Sequence, residues 1–169
     1  MMKYLLLILL LIATPCYGED FFKVKTGYLD LTGNSMKDSP VIELSYEKKM
    51  GHFGIEAGVN TFASRFSDIG MAYLVDPFIA GKIYFDKWVY VGSGVGYYYT
   101  FFSEYYEYDA DLENEINGKV FAGIDFGKFI IEGRFTFADM DMETNSPYMG
   151  FNEDYSKFNN WMVVFGYKF

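Results

Sequence analysis

The chain of 169 residues has one cysteine, Cys16, and one histidine, His52. A single thiol excludes an internal disulfide framework. No apolar run reaches the ~18 residues that a membrane helix needs. Basic residues are scarce as well: 14 Lys and Arg stand against 23 Asp and Glu, for a formal net charge of -9. That balance excludes nucleic acid as a partner, because binding to phosphates needs basic patches. Past the first residues no segment has a 3.6-residue apolar period, and no repeat of 20–50 residues marks a solenoid or propeller. What the chain does have is aromatic rings, 21% of its residues, within a 51% hydrophobic and 22% charged composition. Rings in that number suit strands, and the length fits one domain.

The N-terminus reads as a secretory signal peptide, residues 1–18. Lys3 provides the positive start, Tyr4 to Ala13 the short apolar run, and Cys16 and Gly18 the small residues before a cut. The alternative is a lipoprotein signal with Cys16 lipidated. Pro15 stands there in place of the small residue such a signal wants. Removing Lys3 leaves 13 basic against 23 acidic residues, a net charge of -10. Residues 19–169 then form the mature domain.

Strict alternation runs through that domain. In the last stretch Trp161, Val163, Phe165, Tyr167 and Phe169 form one face, and Asn160, Met162, Val164, Gly166 and Lys168 the other. Earlier strands are expected over residues 21–31, 42–47, 53–61, 71–85, 89–101, 119–126 and 129–137. Residues 62–70 read as a polar break. Pro77 predicts a bulge or bend at Asp76-Pro77, since proline cannot donate to a ladder. Residues 103–116 and 139–157 read as long acidic loops. Tight turns follow Lys48, Phe85 and Phe126. All three fall at one end of an eight-stranded closed sheet, and all four longer loops fall at the other.

The two faces decide which solvent the sheet meets. Lys25, Glu43, Glu47, Glu56, Lys82, Asp125, Glu132, Arg134 and Lys168 lie opposite the aromatics. If those charges faced water, sixteen bulky rings would have to fill the inside. An eight-stranded barrel is only wide enough for ordinary side chains. The aromatic face therefore meets lipid and the charged face lines the lumen. Closure also satisfies every backbone group in hydrocarbon. The expected fold is all-β: an eight-stranded antiparallel up-and-down transmembrane β-barrel.

The ending Gly166-Tyr167-Lys168-Phe169, with aromatics at alternate positions back to Trp161, resembles the C-terminal signal of bacterial outer-membrane barrels. Together with the loop sorting, the chain resembles the small eight-stranded OmpX/Ail barrels, the OmpA transmembrane domain and, more loosely, OmpW. The resemblance implies a Gram-negative outer-membrane protein with both termini periplasmic. It implies contact with outer-membrane lipid and lipopolysaccharide. Trp161, Phe165, Tyr167 and Phe169 would present the signal to the barrel-assembly machinery. It carries no catalytic motif.

Candidate chemistry is sparse. Lipid A deacylases of this fold class pair a His with a Ser two positions on; after His52 that position holds Gly54. Asp109-Ala-Asp111-Leu-Glu113 and Asp139-Met-Asp141-Met-Glu143 resemble calcium loops but lack the sixth-position Gly and the twelfth-position Glu. No cofactor, metal ligand set or catalytic residue is expected. Tyr97-Tyr98-Tyr99 reads as strand-end girdle more than ligand stack. Lys25, Glu43, Glu56, Lys82, Asp125, Glu132 and Arg134 are expected to pair as a lumen network that blocks passage. The leading function is then non-enzymatic, with acidic external loops at 103–116 and 139–157 meeting a host or surface ligand in adhesion, surface protection or envelope integrity. The alternatives are a narrow porin-like channel and, behind it, a lipid A-modifying enzyme.

Overall fold

The computed structural model describes residues 18–30, 38–66, 70–102, 109–112, 115–145, 152–157 and 159–169. Eleven strands fall within these residues: β1 (Glu19–Asp30), β2 (Ser39–Met50), β3 (Phe53–Phe66), β4 (Gly70–Tyr84), β5 (Val89–Phe102), β6 (Asp109–Leu112), β7 (Glu115–Asp125), β8 (Phe129–Phe137), β9 (Asp139–Asn145), β10 (Asn152–Lys157) and β11 (Asn160–Lys168). Eight of them close a barrel in the order β1-β11-β8-β7-β5-β4-β3-β2. Every neighbouring pair is antiparallel. The closing seam runs from Lys23↔Lys168 to Asp30↔Trp161, so no barrel edge is left unpaired there. No helix among the described residues is long and apolar enough to cross a membrane.

Strand alternation sorts the side chains as the composition demands. β2 alternates buried and exposed from Ser39 to Glu47, and β11 does so from Asn160 to Gly166. The outward set is apolar. Its aromatic members gather at two levels. At the turn end lie Phe22, Phe53, Phe85, Trp88, Phe126, Phe129 and Phe169; at the far end Tyr28, Tyr73, Tyr99, Phe101, Phe137 and Trp161. Neighbouring rings touch within a level, as Phe135 and Trp161 do at 4.7 Å between centroids. Val91, Val95, Val120, Ile131 and Val163 fill the band between. On β8 the two levels are Phe129 and Phe137. Eight steps of ~3.4 Å at a tilt near 40° span roughly 20 Å, close to the apolar band of a bilayer-crossing barrel.

Three expectations from the sequence need correcting. Residues 62–66 and Gly70 are strand rather than break: β3 runs to Phe66 and β4 starts at Gly70, paired from Phe62↔Leu74 to Phe66↔Gly70. Phe62, Ser64 and Leu74 are buried, so the alternation continues through the polar residues. No bulge forms at Pro77. Val59 pairs with Pro77 on one side, and on the other Val75↔Tyr99 and Phe78↔Gly96 keep one register across the proline. The ladder to β5 skips the two pairs there, which removes the need for a proline N–H.

The third correction concerns the acidic segments. Residues 103–116 and 139–157 contain β6, the first residues of β7, β9 and β10. β10, β9 and β6 form a second sheet in that order. It extends the barrel wall. From Thr136↔Asn160 to Asp139↔Lys157, three steps along β8 and β9 match three along β11 and β10, so the two ladders share one register. From Gly118↔Phe137 to Leu112↔Met142, five steps match six, a single-residue offset of the kind a bulge makes. Three adjacent wall strands thus prolong the barrel on one side, away from the turns.

Candidate functional site

The lumen is built from the inward positions of all eight wall strands. Its buried charged groups are six cations, Lys23, Lys25, Lys82, Lys119, Arg134 and Lys168, and six carboxylates, Glu43, Glu47, Glu56, Asp76, Asp125 and Glu132. The interior is therefore formally neutral. Among the described residues, then, the buried groups contribute nothing to the chain's net charge of -9.

The groups fall into three levels. The central level holds eight of them. Lys25 Nζ reaches Glu43 at 2.7 Å, Glu56 at 3.0 Å and Glu132 at 3.4 Å. Lys82 meets Glu56, and Glu47 at 3.2 Å. Lys23 meets Glu47, and Glu56 at 3.5 Å. Arg134 spans Glu43 at 2.8 Å and Glu132 at 2.5 Å. Glu56 is thus the hub for three lysines, and its second demand is met by the Ser45 hydroxyl at 2.5 Å. Two phenols close the set: Tyr84 donates to Glu47, and Tyr90 donates to Glu132 at 2.7 Å. Buried charges survive only when paired and hydrogen-bonded like this.

Toward the far end, Asp76 accepts from Asn60 and Asn117, each at 2.9 Å, and from Lys119. Arg134 reaches Asn60 at 3.4 Å and links this level to the central one. Toward the turn end, Lys168 binds both oxygens of Asp125, at 2.6 and 2.7 Å. A basin of about 820 Å³ opens at that mouth, with Asp125 and Lys168 among its lining residues.

Aromatic rings pack between the charges. Phe78, Ala80, Tyr84, Tyr90, Phe121 and Ile130 form one buried cluster. Lys82 Nζ lies 4.3 Å from the centre of the Tyr90 ring, and the Arg134 guanidinium 5.1 Å from that of Phe78. Glycine makes the room. A Cβ at Gly92 would collide with the Phe121 ring, and one at Gly96 with the Asp76 carboxylate. Among the described residues the six buried rings, Phe62, Phe78, Tyr84, Tyr90, Tyr98 and Phe121, are a different set from the fourteen exposed ones.

Of the seven residues expected as a network, Lys25, Glu43, Glu56, Lys82, Glu132 and Arg134 meet in the central level. Asp125 stands apart and pairs with Lys168. Lys23, Asp76 and Lys119 belong to the interior as well and were not singled out; Glu47, expected on the lumen face but not in the network, joins the central level. Lys23 and Lys119 already showed in the alternation of their own strands. Asp76 is found by carrying the inward set Lys82, Ala80 back through Phe78, a step that Pro77 obscured. Trp161 and Phe165 stand on the outer wall, Tyr167 is half-buried there, and Phe169 follows β11 with its ring 6.4 Å from Phe22 across the seam. His52 sits in the β2–β3 turn with Nδ1 3.0 Å from the Tyr84 carbonyl oxygen. Tyr97 and Tyr99 pack edge to face on the outer wall at 4.7 Å, while Tyr98 is buried inside. Among the described residues no group of three His, Cys, Asp or Glu is placed to hold a metal ion. Residues 1–17 of the expected signal segment, Glu104 and Glu107 lie outside the described residues.

A neutral, ring-packed lumen inside an apolar, aromatic-banded wall is an inside-out protein, and only a lipid surround satisfies both faces. This is the small outer-membrane barrel fold. The structure resembles OprG, an outer-membrane protein of Pseudomonas aeruginosa, with a TM-score of 0.56 at 14% identity, over 89% of this chain and 95% of that one. It also resembles Ail of Yersinia pestis in a phospholipid nanodisc, with a TM-score of 0.56 at 12% identity, over 89% of this chain and 100% of that one. The crystal structure of Ail gives a TM-score of 0.52 at 13% identity, over 90% and 99%. No family model and no curated protein matches the sequence. At these identities the likeness speaks for the fold.

Proposed function

We propose that the chain is a non-enzymatic outer-membrane barrel that acts through its external, acidic side, in adhesion, surface protection or envelope integrity. The carrying observation is the three-stranded extension. β6, β9 and β10 prolong the wall beyond the far aromatic level and hold Asp109, Asp111, Asp139, Asp141, Glu143, Glu153 and Asp154. A sheet that prolongs the wall outside the bilayer offers a platform for a surface ligand. The solved structures it resembles include a protein named the attachment invasion locus protein. Both termini and the three tight turns then face the periplasm, and the segments 103–116 and 139–157 face outward. Residues 1–18 act as the signal peptide. Trp161, Phe165, Tyr167 and Phe169 serve as the signal read by the barrel-assembly machinery. Outer-membrane lipid and lipopolysaccharide surround the wall.

The filled lumen supports a non-conducting barrel over the porin-like alternative. The lipid A enzyme has no nucleophile beside His52, since Gly54 occupies the required position. Protease added to intact cells tests the orientation. It is expected to cut within 103–116 and 139–157 and to spare the turns at Lys48, Asp86 and Gly127. Cuts at the turns would overturn it.

A further inference from the structure

The lumen changes character one inward position beyond Asp76. There five successive wall strands turn apolar residues inward: Met162 on β11, Leu29 on β1, Val41 on β2, Phe62 on β3 and Leu74 on β4. Met162 stands opposite Leu29, Val41 opposite Phe62, and Phe62 opposite Leu74. Between β1 and β2 the row drops by one inward position, since Val41 stands opposite Gly27. Strand tilt asks for such drops among residues that share one level of a barrel. None of the five is more than 5% exposed. Tyr98 of β5, also buried, spans the remaining arc. Its ring packs edge-on against Phe62 at 6.2 Å between centroids. Its hydroxyl reaches past β7 and β8 to accept from Asn160 Nδ2 of β11 at 3.4 Å.

Two closures therefore stand in series. The central one is made of charges that hold each other. The far one is a transverse apolar layer, which offers water and ions nothing to bind; a hydrophobic constriction blocks passage by staying dry. The turn end has the opposite character, with Lys49, Asp125 and Lys168 lining an open basin of about 820 Å³.

We propose that the apolar layer is a hydrophobic seal that shuts the far side of the barrel independently of the charged network beneath it. With the orientation proposed above, the lumen is a blind pocket facing the periplasm, and its buried charges are insulated from the external medium. The sidedness rests on that orientation; the seal does not.

Single-channel recording of the full mature chain in a planar bilayer tests the seal. The variant K25S/E43S/E132S/R134S takes two cations and two carboxylates from the central level and leaves the rest in balance. It is expected to stay silent at either polarity, because the layer is intact. Adding V41S/F62S/L74S, which makes the layer polar, is expected to produce discrete conducting steps. Adding V41I/F62L/L74M instead keeps the layer apolar and should keep the barrel silent. Steady conductance from the four-site variant alone would overturn the seal. So would silence of the folded variant with the polar layer, or equal conductance with the polar and the apolar layer. Far-UV circular dichroism confirms the strand content of each variant; where the seven-site protein does not fold, R134S/L74S recorded against R134S replaces it. The protease test reads the orientation separately. Cuts at the turns of intact cells would place the seal on the periplasmic side and leave the recordings as they are.

Discussion

Glu56 shows what a single residue carries in this barrel. Its carboxylate lies against three lysines, Lys23, Lys25 and Lys82, and takes the Ser45 hydroxyl as well. Arg134 is its counterpart among the cations, bridging Glu43 and Glu132. Taking one partner from such a set leaves a buried charge unanswered, which typically costs ~3–5 kcal/mol. Arg134→Ala is therefore expected to lower the urea midpoint of the barrel in lipid vesicles far more than Val95→Ala. The latter trims a lipid-facing side chain and costs about 1 kcal/mol. Equal small effects would mean a wet and open lumen. Glu56 and Arg134 were legible in the sequence because charges recur at every second position opposite the rings. Asn60 was not, because a neutral amide in a strand has no signature until Asp76 and Arg134 are seen on either side of it.

At the scale of elements, the extension β6-β9-β10 is what the sequence hid. Residues 139–145 read Asp-Met-Asp-Met-Glu-Thr-Asn. The carboxylates look like loop, yet Met140 and Met142 alternate with them as a strand requires. Strand and loop differ there only through partners 8–18 residues away on β10 and 30–36 residues away on β6, and only those registers decide between them. The same blindness to partners made Pro77 look like a bulge. The wall strands were read correctly because their apolar face is long and uniform. Since the strand pairing of β10 among the described residues is with β9 and not with a wall strand, damage to it should stay local. Tyr155→Pro removes a backbone donor in β10 and is expected to speed amide exchange over 139–157 without moving the unfolding midpoint of the barrel. A matching drop in the barrel midpoint would show that the extension and wall fold as one unit.

The whole molecule divides its charge by place. The lumen is balanced at six against six. The tight turns hold Lys48, Lys49, Lys87 and Lys128 against Asp86, and the far segments hold the acidic excess. An acidic exterior without ordered ligand spacing should draw divalent ions loosely. Calorimetry with calcium is expected to show affinity no tighter than about 10⁻³ M, the range of the loosest calcium modules. A saturable micromolar site would contradict that reading. The central claim is that the protein works through its outside because its inside is closed by the paired network. Single-channel recording of the wild-type protein in a planar bilayer tests it most directly. The account predicts no stable open level at either polarity; a steady ohmic conductance from the wild-type chain would contradict it.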